Sequence, residues 1–283
     1  MNGANSRTFG ATRRTVAAVG QGSWKIETEA ASAIAALRRG LDPGLTHIDT
    51  AEMYGSGAAE SLIAEAMAGR RDEVFLVSKV LPTNASKRGT IAACNQSLAR
   101  LRTDRLDCYL LHWRGSHPLE ETVAAFDSLV RAGKILSWGV SNFDVEDLDE
   151  IAGIGAGLPA CNQVLYHLQE RAVEHAVPPW CREHGTALVA YTPFGQSPAA
   201  FDSRTKHGRV LHEIAAAHGS TPRQAALRFL LRNPETFVIP KASGLAHVEE
   251  NAAALHLELS AAELARIDAA FPLGKPRRGL PMI

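Results

Sequence analysis

The chain has 283 residues, 46% hydrophobic and 21% charged, which is ordinary for a folded globular protein and enough for one large core or two modest ones. Thirty basic and thirty acidic side chains cancel, so no global positive field draws the protein to nucleic acid or to an anionic membrane, and small-molecule chemistry is favoured. Cys94, Cys108, Cys161 and Cys181 stand far apart with no C-x-x-C pair, which argues against a disulfide scaffold and a zinc site and reads as reduced, mostly buried thiols.

Residues 1–14 are polar and lack the apolar run of about 7–15 residues of a secretory signal; no run of about 18 apolar residues follows, so a cytoplasmic protein with no membrane segment is expected. Eight short apolar runs then alternate with longer amphipathic or Ala-rich ones, the signature of repeated β-α units and a parallel sheet. The expected strands are 16–20, 46–50, 74–80, 106–112, 137–141, 162–166, 188–191 and 236–240. The expected helices are 27–40, 58–69, 87–101, 119–132, 145–153, 177–185, 210–231 and 246–255, with a break at 219–222 before Pro222. Gly40, Gly69, Gly133 and Gly185 mark helix ends, and Asp144 and Ser220 mark starts. Strict eightfold alternation over this length predicts an α/β fold, a single (β/α)8 TIM barrel. Two additions are expected: a β-hairpin over 8–19, with turn-like Gly10 and Arg13-Arg14, across the barrel floor, and an extra C-terminal helix over 260–270. The tail 272–283 reads as loop. With no linker or composition break, residues 1–283 read as one domain.

In such barrels the active site is built at the C-terminal ends of the strands. Asp49, Lys79 and His112 end or nearly end three successive runs, and Tyr54 follows Asp49 on the adjoining loop. Each alone reads equally well as a structural ion pair or a core group; together they are harder to dismiss. A lone Lys or Asp in a barrel mouth costs several kcal/mol, so Asp49 and Lys79 are expected to partner one another. Lys79 beside the Tyr54 hydroxyl is expected to lower the phenol's pKa, suiting a general acid near neutral pH. His167, His175 and His212 show no metal-ligand spacing and read as surface or loop residues; no metal is expected.

The stretch His47-Ile48-Asp49-Thr50-Ala51-Glu52-Met53-Tyr54-Gly55, with Glu60 after it, closely resembles the signature of the aldo-keto reductase superfamily. The likeness runs along nearly the whole chain: Gly20-Gln21-Gly22-Ser23-Trp24, Leu110-Leu111-His112-Trp113, Gly139-Val140-Ser141-Asn142-Phe143, Asn162-Gln163-Val164, Ala190-Tyr191-Thr192-Pro193 and Ile239-Pro240-Lys241. It implies the tetrad Asp49, Tyr54, Lys79 and His112, in which Tyr54 protonates a carbonyl oxygen, Lys79 paired with Asp49 tunes it, and His112 orients the carbonyl and helps relay the proton.

No G-x-G-x-x-G lies between a strand and a helix, so a Rossmann reading fails. The resemblance implies NADPH stretched across the barrel mouth. Ser141, Asn142 and Gln163 would hold the carboxamide, Tyr191 would stack beneath the nicotinamide, and Thr192 and Phe194 would lie near the cofactor. Lys241 would meet the 2'-phosphate, with Ser243, His247, Glu250 and Asn251 at the adenosine end. His247 stands where many members place an arginine, which weakens a bidentate contact, so NADPH is expected over NADH with a reduced margin.

Trp24, Met53 and Trp113 should wall the substrate pocket. The connection 113–118 and the tail after Phe271 are short, leaving little to enclose a large ligand. A small aldehyde or ketone such as methylglyoxal is therefore expected, and the pattern resembles the bacterial methylglyoxal-reducing branch; a monomer is expected. Two alternatives stand beside this: another barrel enzyme using Lys79 as a Schiff-base lysine, which lacks a phosphate-gripping glycine loop after the seventh strand, and an NADPH-binding accessory protein with little turnover.

Overall fold

In the computed structural model, which describes residues 6–283, the chain opens with an antiparallel hairpin of β1 (Ser6–Thr8) and β2 (Thr15–Ala17). Residues 1–5, part of the polar stretch read for a leader, lie outside the described residues. Gly10 turns the hairpin at φ 51°, and a Cβ there would stand 2.1 Å from the Ala160 carbonyl oxygen, so only glycine fits. Phe9 packs on Phe75 and Phe237 inside the barrel, and the Arg7 guanidinium donates to the carbonyls of Leu231, Asn233 and Thr236. The hairpin is thereby fastened over the N-terminal ends of the strands, the floor expected for it.

Eight parallel strands follow, each paired with its sequence neighbour: β3 (Gln21–Gly22), β4 (His47–Asp49), β5 (Phe75–Val80), β6 (Cys108–Leu111), β7 (Trp138–Ser141), β8 (Cys161–Leu165), β9 (Ala187–Tyr191) and β10 (Thr236–Ile239). Parallel bridges Val19–Val238 and Gly22–Lys241 join the first strand to the last and close the barrel. The expected first strand, 16–20, is corrected: Val16 and Ala17 belong to the hairpin, and the barrel strand begins beyond them. Both positions are buried, so apolarity marks no border between them, and only the pairing partners separate hairpin from barrel.

The helices are α1 (Ala30–Leu41), α2 (Ala58–Ala66), α3 (Lys87–Leu101), α4 (Leu119–Arg131), α5 (Val145–Gly153), α6 (Val177–His184), α7 (Lys206–Ala217), α8 (Pro222–Leu230), α9 (Leu245–Ala253) and the added C-terminal α10 (Ala261–Ala270). Asp144 caps α5 by accepting from the Asp147 amide. The long seventh segment breaks where expected, but Thr221, not Ser220, caps α8 in a capping box with Gln224, and α7 starts earlier than expected, at Lys206, capped by Thr205. Residues Ile26–Glu29 form a 3-10 turn, so α1 starts later than expected. Gly69, Gly133 and Gly185 take left-handed φ as expected. Gly40 does not end α1; its missing side chain makes room for Gln21, whose amide donates to the Leu37 and Leu45 carbonyls. One apolar layer lies between strands and helices, and a second, built from Phe9, Val77, Leu110, Val189 and Phe237 among others, fills the barrel interior. The four cysteines are buried and unbridged.

Candidate active site

Asp49 is the last residue of β4, Lys79 lies near the end of β5, His112 directly follows β6, and Tyr54 opens a short 3-10 turn after β4. Lys79 is fully buried, and its ammonium spends all three hydrogens: on Asp49 Oδ1 at 2.5 Å, the Thr50 carbonyl at 2.8 Å and the Tyr54 hydroxyl at 3.4 Å. The second Asp49 oxygen accepts from Gln163 Nε2 at 2.7 Å. Burial, the largest single effect, pulls the Lys79 ammonium toward neutrality, but Asp49 and Tyr54, through charge and hydrogen bonds, together outweigh it and hold the pKa above its ordinary value.

The expected lowering of the Tyr54 pKa is corrected. Removing the phenol from water raises its pKa; the Lys79 charge pulls the other way, and burial wins. Tyr54 therefore keeps its proton at neutral pH, which is the state a proton donor needs. Burial first, and then the Lys79 charge, drive His112 down to about 2, so its imidazole is neutral. Its ring stands edge-on to Tyr54 at 5.8 Å and against Trp113 at 4.8 Å. A neutral ring of this kind can orient an oxygen by hydrogen bonding.

The neighbouring wall is a continuous network. Ser141 Oγ donates to the Gln163 carbonyl at 2.9 Å, Asn142 Nδ2 to the His112 carbonyl at 3.1 Å, and the Tyr191 hydroxyl to Asn142 Oδ1 at 3.0 Å. Asn142 and Thr192 adopt left-handed φ of 61° and 52° just beyond β7 and β9, conformations that are costly for non-glycine residues and cluster at functional sites.

These groups wall a cavity of about 690 Å³. Trp24, Met53, Tyr54, His112, Trp113, Ser141, Asn142, Gln163, Tyr191, Thr192, Phe194 and Lys241 all line it, with Asp49 at its base and Lys79 just behind. Ser243, His247, Glu250 and Asn251 do not line it. Ser243 and Asn251 are buried, His247 is exposed on α9, and Glu250 accepts from the Thr221 hydroxyl at 2.5 Å. The sequence reading missed Phe201 and Arg223, which also line the cavity; Arg223 offered only one basic residue at a helix start as its signal. It also took the tail after Phe271 as too short to help enclose a ligand, yet Met282 and Ile283 reach the cavity wall.

The lining suits a dinucleotide. It offers an aromatic face at Tyr191, two cations in Lys241 and Arg223, and buried polar atoms with no partner among the described residues, Ser23 Oγ and His112 Nδ1. Among the described residues no group of three or more His, Cys, Asp or Glu side chains is arranged to hold a metal, and no helix is long and apolar enough to cross a membrane.

The sequence profile of the Aldo/keto reductase family matches residues 18–271, and the chain belongs to that family. It is 47% identical over 270 residues to methylglyoxal reductase YeaE of Escherichia coli (strain K12), covering 94% of this chain and 95% of that one. It is 33% identical to glyoxal reductase of Bacillus subtilis (strain 168), over 88% of this chain and 87% of that one. An aldo/keto reductase from Klebsiella pneumoniae, solved in complex with NADP and acetate, superposes with a TM-score of 0.92 at 43% identity, covering 99% of both chains.

Proposed function

We propose that this chain reduces small aldehydes and ketones to alcohols with NADPH, and that Tyr54 supplies the proton. One observation carries the reading: a protonated Tyr54 hydroxyl 3.4 Å from a Lys79 ammonium that is clamped to Asp49, on the wall of a cavity within the size range of small-ligand sites. When bound, NADPH supplies hydride to the carbonyl carbon. Tyr54 gives its phenolic proton to the carbonyl oxygen as negative charge grows there, and the Lys79 N–H stabilises the phenolate left behind. Asp49 and the Thr50 carbonyl keep that ammonium aimed. Neutral His112 donates to the same carbonyl oxygen and orients it. Lys79 is no candidate for carbonyl attack, because a Schiff-base lysine must be a reachable, neutral amine.

Ser141, Asn142 and Gln163 are the carboxamide partners in this reading, and Tyr191 is the face beneath the nicotinamide. Thr192 and Phe194 flank the middle of the cofactor, and Lys241 takes the 2'-phosphate. Ser243, His247, Glu250 and Asn251 belong to the adenosine end, beyond the cavity as it stands. Trp24, Met53 and Trp113 form the carbonyl pocket, apolar enough for a small substrate and too slight to grip a large one. Methylglyoxal is the substrate we favour, since it is the one named for the Escherichia coli relative. The reading takes residues 1–283 as one domain acting as a cytoplasmic monomer; four buried, unbridged thiols suit a reducing compartment.

The test follows loss of NADPH absorbance with methylglyoxal. Tyr54→Phe is expected to lower kcat by about 10²–10⁴-fold while the Kd for NADPH, read by fluorescence titration, stays the same. Equal turnover in variant and wild type would remove Tyr54 from the chemistry, and NADPH binding with no turnover by either would leave an accessory binding protein.

A further inference from the structure

The loop after β9 folds back through a 3-10 turn (Pro198–Phe201) and brings Phe194 and Phe201 edge to face at 5.9 Å. Over both rings lies the Arg223 guanidinium, 4.8 Å from the Phe194 centroid and 5.5 Å from that of Phe201. Arg223 is the second residue of α8 and lines the same cavity as Tyr54 and Lys241. A guanidinium carries five N–H donors, yet no acceptor and no carboxylate among the described residues engages this one; its contacts are the two rings. The rings hold the cation in place and leave its donors for something that is not protein.

The charge on the cavity wall says what that is. Lys241 and Arg223 are the charged cations of its lining, because His112 is neutral; its one carboxylate side chain, Asp49, is spent on Lys79 and Gln163, and the Ile283 carboxylate offsets only one of the two cations. The wall away from Tyr54 is therefore net positive and suited to phosphate, for which a guanidinium fork is the best side-chain partner. On the reductase reading, on which this inference rests, the cofactor runs from Tyr191 to Lys241. Residues 192–201 and Arg223 then stand beside its middle, where any nicotinamide dinucleotide carries its pyrophosphate.

We infer that Arg223, shelved on Phe194 and Phe201, is the pyrophosphate-binding cation of this cavity. Lys241 and Arg223 then divide the work: Lys241 distinguishes NADPH from NADH by the 2'-phosphate, and Arg223 serves both alike. The shelf ties the 192–201 loop to the start of α8, so the contact that holds the phosphates also holds that loop over them.

The experiment titrates protein free of cofactor with NADPH and with NADH, following the fluorescence of Trp24 and Trp113 on the cavity wall. Arg223→Ala is expected to raise both dissociation constants by a similar factor, about tenfold or more. Arg223→Lys, which keeps charge but loses the fork and the stacking, should fall between. Lys241→Ala should weaken NADPH and spare NADH. Inorganic pyrophosphate should compete with NADPH on the wild type and lose most of that competition in Arg223→Ala. Thermal melts of the variants, expected to match the wild type because Arg223 is exposed, separate binding from folding. Unchanged affinity for both dinucleotides in Arg223→Ala overturns the inference, and so does a loss confined to NADPH, which assigns Arg223 to the 2'-phosphate. A wild type that binds neither dinucleotide overturns the reductase reading itself, an outcome distinct from a wild type that binds and a variant that binds equally well.

Discussion

His47 lies near the barrel floor, edge-on to Phe9, Phe75 and Phe237, with neither ring nitrogen partnered among the described residues. Burial pushes its pKa down to about 4, against the pull of Asp49. In the unfolded chain it returns to roughly 6.5. Between those values the unfolded state binds a proton that the folded state refuses, so stability is complete above about pH 6.5 and is lost as pH falls toward 4. The full loss is about 3 kcal/mol, of which about 2 is reached by pH 5. His112, at about 2, adds a loss of the same sign that reaches lower pH. His47→Leu removes the His47 contribution, so urea unfolding at about pH 7 and about pH 5 should show the variant losing roughly 2 kcal/mol less than the wild type between them. Parallel losses would mean that His47 is already protonated or hydrated in the folded protein.

Among the elements, a single carboxylate ties two helices to the strand that carries Lys79. Glu60 of α2, with no exposed surface, accepts from Ser78 Oγ of β5 at 2.6 Å and from Arg100 Nε of α3 at 2.6 Å. Arg100→Ala strands the carboxylate with only Ser78 and should cost about 3–5 kcal/mol. Glu60→Gln keeps an acceptor for Ser78 and leaves an Arg100 that is 27% exposed and able to reach water, so its cost should be smaller. Urea midpoints in the reverse order would show that Arg100, not Glu60, is the costly charge to leave alone. The order of strands and helices was legible in the sequence because parallel strands covered on both faces read as unbroken apolar runs. Exact borders were not: Thr205 looks like any loop threonine until its hydroxyl meets the Gly208 amide. Asp49, Lys79 and His112 stood out because a polar side chain ending an apolar run is conspicuous. Arg223 did not, since a basic residue near a helix start reads as solvated. The direction of the Tyr54 shift depends on how much water the folded cavity excludes, and no spacing in the chain encodes that.

At the scale of the whole molecule the barrel separates what holds it together from what it does. The hairpin, Phe9 and the Arg7 contacts close the N-terminal end, while the Tyr54 and Lys79 pair and the cavity occupy the C-terminal end. Between them the barrel interior is packed by Val77, Leu110, Val189 and their neighbours, a layer too dense to shift by half measures. Phe9 has no exposed surface and touches Phe75 and Phe237 with ring centroids 4.7 and 5.0 Å away. Phe9→Ala opens a void that the rigid strand ends cannot fill, and should cost about 3–5 kcal/mol. That loss should appear as a lower Tm and urea midpoint while the Kd for NADPH and kcat with methylglyoxal, measured well below the new Tm, remain those of the wild type. A parallel fall in kcat would mean that the interior layer transmits the floor's packing to the Lys79 ammonium, and that the two ends of this barrel are one mechanical unit.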